Sequence, residues 1–143
     1  MIGYHLSFTP GIHRFQFSKS GTGFGTNFYG SGLYVALDME PIEEWAKEAG
    51  DAKCYVYDVE IPDTANIIDD EDKFWDVVAR YVGDAEEPSN EDLRKASRYM
   101  VDELGIDGLK YWNPEDGNSI VLWNTSIANV ISVKEIDYAT NEP

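Results

Sequence analysis

Acidic residues are missing from Met1 to Leu37, although the 143-residue chain carries 27 Asp and Glu against 11 Lys and Arg, a formal charge of −16. A balance this acidic argues against direct nucleic-acid binding, because affinity for phosphate comes from Lys and Arg. Cysteine is nearly lacking as well: Cys54 stands alone. An internal disulfide is therefore excluded, no disulfide-linked oligomer is expected, and a reducing, cytoplasmic setting fits. In a strand-like run, the ordinary role of Cys54 is that of a small buried hydrophobe. No apolar run approaches the ~20 residues of a membrane-spanning helix. The opening Met1-Ile2-Gly3-Tyr4-His5 has neither a basic start nor an apolar stretch, so no secretory signal is expected. No membrane partner and no metal site are expected.

What is present is a globular composition. With 43% hydrophobic and 13% aromatic residues, the chain can bury a core of its own. No internal repeat, low-complexity tract or linker divides it, so residues 1–143 read as one domain. The acids are concentrated: Asp58 to Asp92 holds thirteen of them against Lys73 and Arg80, a local balance of −11. The acid-free N-terminal stretch carries His5, His13, Arg14 and Lys19 and is a place where an anion can sit. Its ordinary alternative is chance in a loop-rich segment.

The patterning predicts a mixed α+β domain. Tyr4 to Phe8 reads as a short strand, Thr9 to Gly32 as a long loop, and Gly32 to Leu37 as a buried strand. A helix follows, with Pro41 in its first turn, Glu43 and Glu44 near its positive end and Gly50 past its end. Alternation from Cys54 to Ile61 predicts a strand. Phe74, Val77, Val78, Tyr81 and Val82 share one helical face. Ser89 with Asp92 reads as a capping box, opening a helix that carries Leu93, Ala96, Met100 and Leu104 and stops at Gly105. Three strands close the chain: Gly108 to Trp112, Ser119 to Trp123, and roughly Ile127 to Val133. Strands at both ends around inserted helices do not make alternating βαβ units.

Two stretches carry a resemblance. The first joins Tyr4-His5-Leu6-Ser7, Ser18-Lys19-Ser20-Gly21-Thr22-Gly23-Phe24-Gly25 and Tyr29-Gly30-Ser31-Gly32-Leu33-Tyr34-Val35-Ala36. The second joins Gly105-Ile106-Asp107-Gly108-Leu109-Lys110-Tyr111 to Asn118-Ser119-Ile120-Val121-Leu122-Trp123-Asn124. Together they are similar to ADP-ribosyltransferases of the diphtheria-toxin and poly(ADP-ribose) polymerase class, above all to the modules of phage-encoded polyvalent proteins. The resemblance implies an ADP-ribosyltransferase-like split mixed β-sheet core with flanking helices, and NAD as co-substrate. It places His5 on a ribose hydroxyl, the Leu6 main chain on the carboxamide and Ser7 at the hydroxyl position. Tyr34 stacks on nicotinamide, and Trp45 forms the second wall. The family's catalytic glutamate position falls on Ser119, so the charge that assists bond cleavage is expected from Glu115 or Asp116. The implied activity is mono-ADP-ribosylation of a protein target with a basic surface, in a phage anti-defence setting.

The chemistry can be argued without the name. Cleaving the glycosidic bond of NAD needs the ring clamped, the ribose oriented and a developing positive charge stabilised. Two aromatic walls around a cationic ring contribute on the order of 1–2 kcal/mol. Gly21, Gly23, Gly25, Gly30 and Gly32 let backbone approach a ligand. No acid follows at the distance a Rossmann unit needs, and no Gly-Lys-Ser/Thr ends the run. Each residue also has an ordinary alternative. His5 can bond a neighbouring carbonyl, Tyr34 and Trp45 can be core aromatics, and Pro114-Glu115-Asp116-Gly117 is a turn signature. A rival from another class is a non-catalytic, anti-CRISPR-like acidic inhibitor that mimics nucleic acid and occupies a basic surface. A third is an NAD glycohydrolase.

Overall fold

The computed structural model describes residues 1–7, 29–30, 32–48, 53–83, 87–114 and 116–136. Among the described residues, seven strands and three helices alternate irregularly: β1 (Ile2–Ser7), β2 (Leu33–Ala36), α1 (Met39–Glu48), β3 (Cys54–Glu60), β4 (Ile67–Ile68), α2 (Glu71–Val82), α3 (Asn90–Asp102), β5 (Gly108–Asn113), β6 (Gly117–Leu122) and β7 (Asn129–Ile136). The class is α+β, as the pattern predicts. No described helix is long and apolar enough to cross a membrane.

The strands form one mixed sheet in the order β4-β5-β6-β2-β1-β3-β7, in which β4 and β5 run parallel and the other neighbours antiparallel. Its weak point is in the middle. β1 pairs with β3 from Ile2–Glu60 to Ser7–Tyr55, and β2 pairs with β6 from Leu33–Leu122 to Ala36–Ser119. Between β1 and β2, however, the shared register among the described residues is Tyr4 with Ala36. Two half-sheets therefore meet at a seam.

Alternation along the strands assigns each face its core. All three helices pack on one face. α1 covers the β1–β3 half with Ile42 and Ala46 against Leu6, Ala36, Cys54 and Val56. α2 and α3 cover the β5–β6 half, burying Phe74, Val77, Val78, Ala96 and Met100 against Leu109, Tyr111, Val121 and Trp123. Leu33, Val35, Tyr57, Val59, Ile120 and Leu122 fill the other face, with Ile61 and Ala128 from the connections. Cys54 is buried, in its ordinary role.

The helix starts follow local chemistry. Asp70 caps α2 by accepting from the Asp72 amide, and Ser89 and Asp92 form the reciprocal capping box of α3. Some expectations need correction. β4 is absent from the sequence pattern because two residues show no periodicity. The last strand starts at Asn129, after a 3-10 turn over Thr125–Ile127 whose cap is Asn124. Most of the expected loop from Thr9 to Gly32, with Gly21, Gly23 and Gly25, lies outside the described residues, as do Gly50 and Glu115.

Candidate functional site

Five residues of the expected site or its alignment meet at the seam. Leu6 from β1, Tyr34 from β2, Trp45 from α1, and Asp116 and Ser119 from the β5–β6 hairpin line one pocket with Tyr111. It sits where the α1 layer ends and the α2–α3 layer begins. Its free internal space is about 10 Å3, room for about one water molecule. Tyr34 and Trp45 thus share a pocket, but they do not enclose a slot for a flat ring.

The polar groups there already have partners. Asp116, 8% exposed, accepts from Tyr111 Oη and Asn113 Nδ2, each at 3.2 Å. Its backbone N–H donates to Asn113 Oδ1 at 2.6 Å, and Ser119 Oγ donates to its carbonyl at 3.1 Å. This knot ties the hairpin turn ahead of Gly117. Burial pushes the Tyr111 phenol well above its ordinary pKa, and the Asp116 charge adds to the shift. Burial also raises Tyr34. Tyr34 Oη donates to Gly30 O at 2.6 Å and accepts from the Tyr29 amide at 3.1 Å, so the ring staples the turn before β2. Its ring meets Tyr111 edge-on with centroids 6.4 Å apart. Sequence reasoning missed Tyr111 and Asn113 as companions of Asp116. The inward position of Tyr111 is readable from strand alternation, but its partner is not.

His5 does not join them. It alternates with Leu6 on β1, so its side chain leaves the opposite face of the sheet from Leu6 and the Tyr34 ring. Its Nδ1–H donates to the Tyr34 carbonyl at 2.9 Å, and burial holds its pKa below the ordinary 6.5. That is the ordinary strand-histidine role. Ser7 is buried on the same side as His5, and the Leu6 main chain is in register with Val56 of β3. The two described glycines of the motif serve packing: a Cβ on Gly30 overlaps Ser97 of α3, and one on Gly32 comes within 2.5 Å of Leu122 O.

No family model matches the chain, and no curated protein matches it. A solved structure described as that of an anti-CRISPR protein is similar, with 15% identity, coverage of 95% of both chains and a TM-score of 0.47. That likeness is too distant to transfer a function. The expected membership of the ADP-ribosyltransferase family is therefore corrected. Neither family models nor curated proteins support it.

The second feature with functional character is the charged face. Asp69, Asp70, Glu71, Asp72 and Asp76 are all exposed at the start of α2. Tyr29 Oη donates to Glu71 at 2.8 Å, while among the described residues Asp69, Asp70, Asp72 and Asp76 join no ion pair. Acids in the first turn favour the helix by ~0.3–1 kcal/mol each. Asp72 and Asp76, four residues apart on one face, repel each other by ~0.2–0.5 kcal/mol. Helix stability accounts for the first turn but not for the second. Among the described residues no group of His, Cys, Asp or Glu is arranged to hold a metal ion.

Proposed function

We propose that the protein is a non-catalytic interaction protein whose acidic face, centred on the start of α2, occupies a basic, nucleic-acid-binding surface of a partner protein. The observation that carries this reading is the charge placement. Thirteen acids face two bases between Asp58 and Asp92, and the α2 acids are exposed and free of ion pairs among the described residues. A surface of one sign steers and orients an oppositely charged partner. The reading makes the protein an anti-defence inhibitor of the mimic type.

The test is displacement. Labelled duplex DNA is bound to each member of a panel of purified RNA-guided DNA-binding complexes, and the protein is added at low salt. Release of DNA from at least one complex is expected, with loss of release in the Asp69→Lys, Asp70→Lys, Asp72→Lys triple variant. Equal release by wild type and triple variant removes the reading.

A second reading is favoured by one observation: Leu6, Tyr34, Trp45 and Asp116 do converge on one pocket. In that reading the seam opens between α1 and β2 to take NAD, with Tyr34 and Trp45 as walls and Asp116 as the charge near the cleaved bond. Calorimetric titration with NAD decides it. Saturable binding that is lost in Trp45→Ala supports it, and no heat at millimolar NAD ends it.

A further inference from the structure

A groove of about 720 Å3 opens at the end of the seam, between the start of α1 and the β5–β6 hairpin. Its walls include Pro41, Pro114 and Trp112, and its rim carries Asp38, Glu40 and Glu44. Trp112 is 63% exposed, the most exposed of the large hydrophobics on the described surface. It leaves β5 on the side away from buried Leu109 and Tyr111. Asp38, Glu40 and Glu44 are exposed too, and among the described residues no basic side chain lines the groove. Glu44 lies 3.9 Å from Lys47 and Asp38 accepts from Asn118 at 3.4 Å, both at the exposed rim.

We propose that this groove receives an arginine-bearing segment of a partner protein, with the guanidinium stacked on Trp112 and paired to the Asp38, Glu40 and Glu44 carboxylates. An indole face attracts a cation, most of all a planar guanidinium, and carboxylates match its fork of donors. Trp is also the residue type that most often dominates protein interfaces. Pro41 and Pro114 stand on its two walls, and the fixed φ of proline limits the backbone freedom lost on binding. Charge complementarity points away from a second copy of this chain, since each copy carries −16. The inference rests on the reading of the protein as a binder of basic surfaces, and places a second contact outside the α2 face.

The probe is a short synthetic peptide carrying two arginines, with its citrulline analogue as the neutral control. The four tryptophan indole N–H resonances are followed by NMR, with affinities from calorimetry. The arginine peptide should shift the Trp112 indole, and the citrulline peptide should not. Trp112→Ala should weaken the arginine peptide about tenfold, as loss of a desolvated cation–π contact does. Combined Asp38→Asn, Glu40→Gln and Glu44→Gln should do likewise. The Asp69→Lys, Asp70→Lys, Asp72→Lys variant should keep the Trp112 shift. If binding survives Trp112→Ala but is lost in the α2 variant, the groove proposal falls and the acidic-face reading stands. Absence of any binding at low salt overturns the groove proposal, while DNA displacement decides the acidic-face reading separately. A dimer in sedimentation that Trp112→Ala dissociates assigns the groove to a second copy and overturns the arginine proposal.

Discussion

At Gly30 the backbone turns through a φ of +85°, and the space for a Cβ is taken by Ser97 and the Leu93 carbonyl of α3. An L side chain is strained at that φ and has nowhere to go. Gly30→Ala is expected to destabilise by about 2 kcal/mol or more, read as a lower denaturant midpoint at unchanged slope. Tyr34→Phe loses the hydroxyl that joins Gly30 O to the Tyr29 amide, and about 1–3 kcal/mol is expected from the two unmet groups. The two changes release one turn, so the double variant should lose less than their sum. The glycine spacing was visible in the sequence, but its reason was not. Ser97 lies far along the chain, and a ligand loop and a tight packing turn ask for the same residue type. His5 shows the same limit: its type suggested a site, while the bond to the Tyr34 carbonyl depends on which strand lies beside it. Because its folded pKa is held below 6.5, the unfolded chain binds the extra proton first as pH falls. The contribution of His5 to stability is full above pH 6.5 and declines below it. His5→Gln, which can still donate to the carbonyl, should flatten that slope in urea titrations run across the range.

At the scale of elements, local signals were the legible ones. The Ser89–Asp92 pair encodes its cap within four residues, and both reciprocal bonds form at 3.0 and 3.1 Å. Ser89→Ala should cost about 1 kcal/mol, measured as a fall in Tm, with the loss confined to α3 in amide exchange. The apolar face of α2, that of α3 as far as Met100, and the alternation of β3 were equally readable, since each repeats within its element, whereas Leu104 lies past the end of α3 and is exposed. Pairing was not. β4 is two residues, Ile67 and Ile68, that become a strand because β5 lies parallel beside them at Gly108 and Leu109. The seam between β1 and β2 likewise arises from strand order. That order brings Leu6, Tyr34, Trp45 and Asp116 to one pocket, while alternation along β1 turns His5, next to Leu6 in the chain, away from it.

For the whole molecule, a charge of −16 acts in two opposite directions with salt. Self-repulsion opposes the compact state, so screening should raise Tm as NaCl increases. Attraction to a basic partner is screened by the same ions, so affinity should fall over that range. The Asp69→Lys, Asp70→Lys, Asp72→Lys variant separates the two effects. Each change adds two charges, taking the net value from −16 to −10. Bulk self-repulsion then weakens, although lysines replace acids at the positive end of α2 and the Asp70 cap is lost, which costs about 1 kcal/mol. Its Tm should therefore depend less on salt than that of the wild type, whatever its absolute value. Displacement of DNA from the partner complex should be lost at every salt concentration. If the acids serve solubility alone, the Tm response changes as described while displacement keeps its wild-type strength and salt slope. That pairing of results would return the α2 face to the role of a solvated surface, because a change in net charge would have been felt by the fold and ignored by the partner.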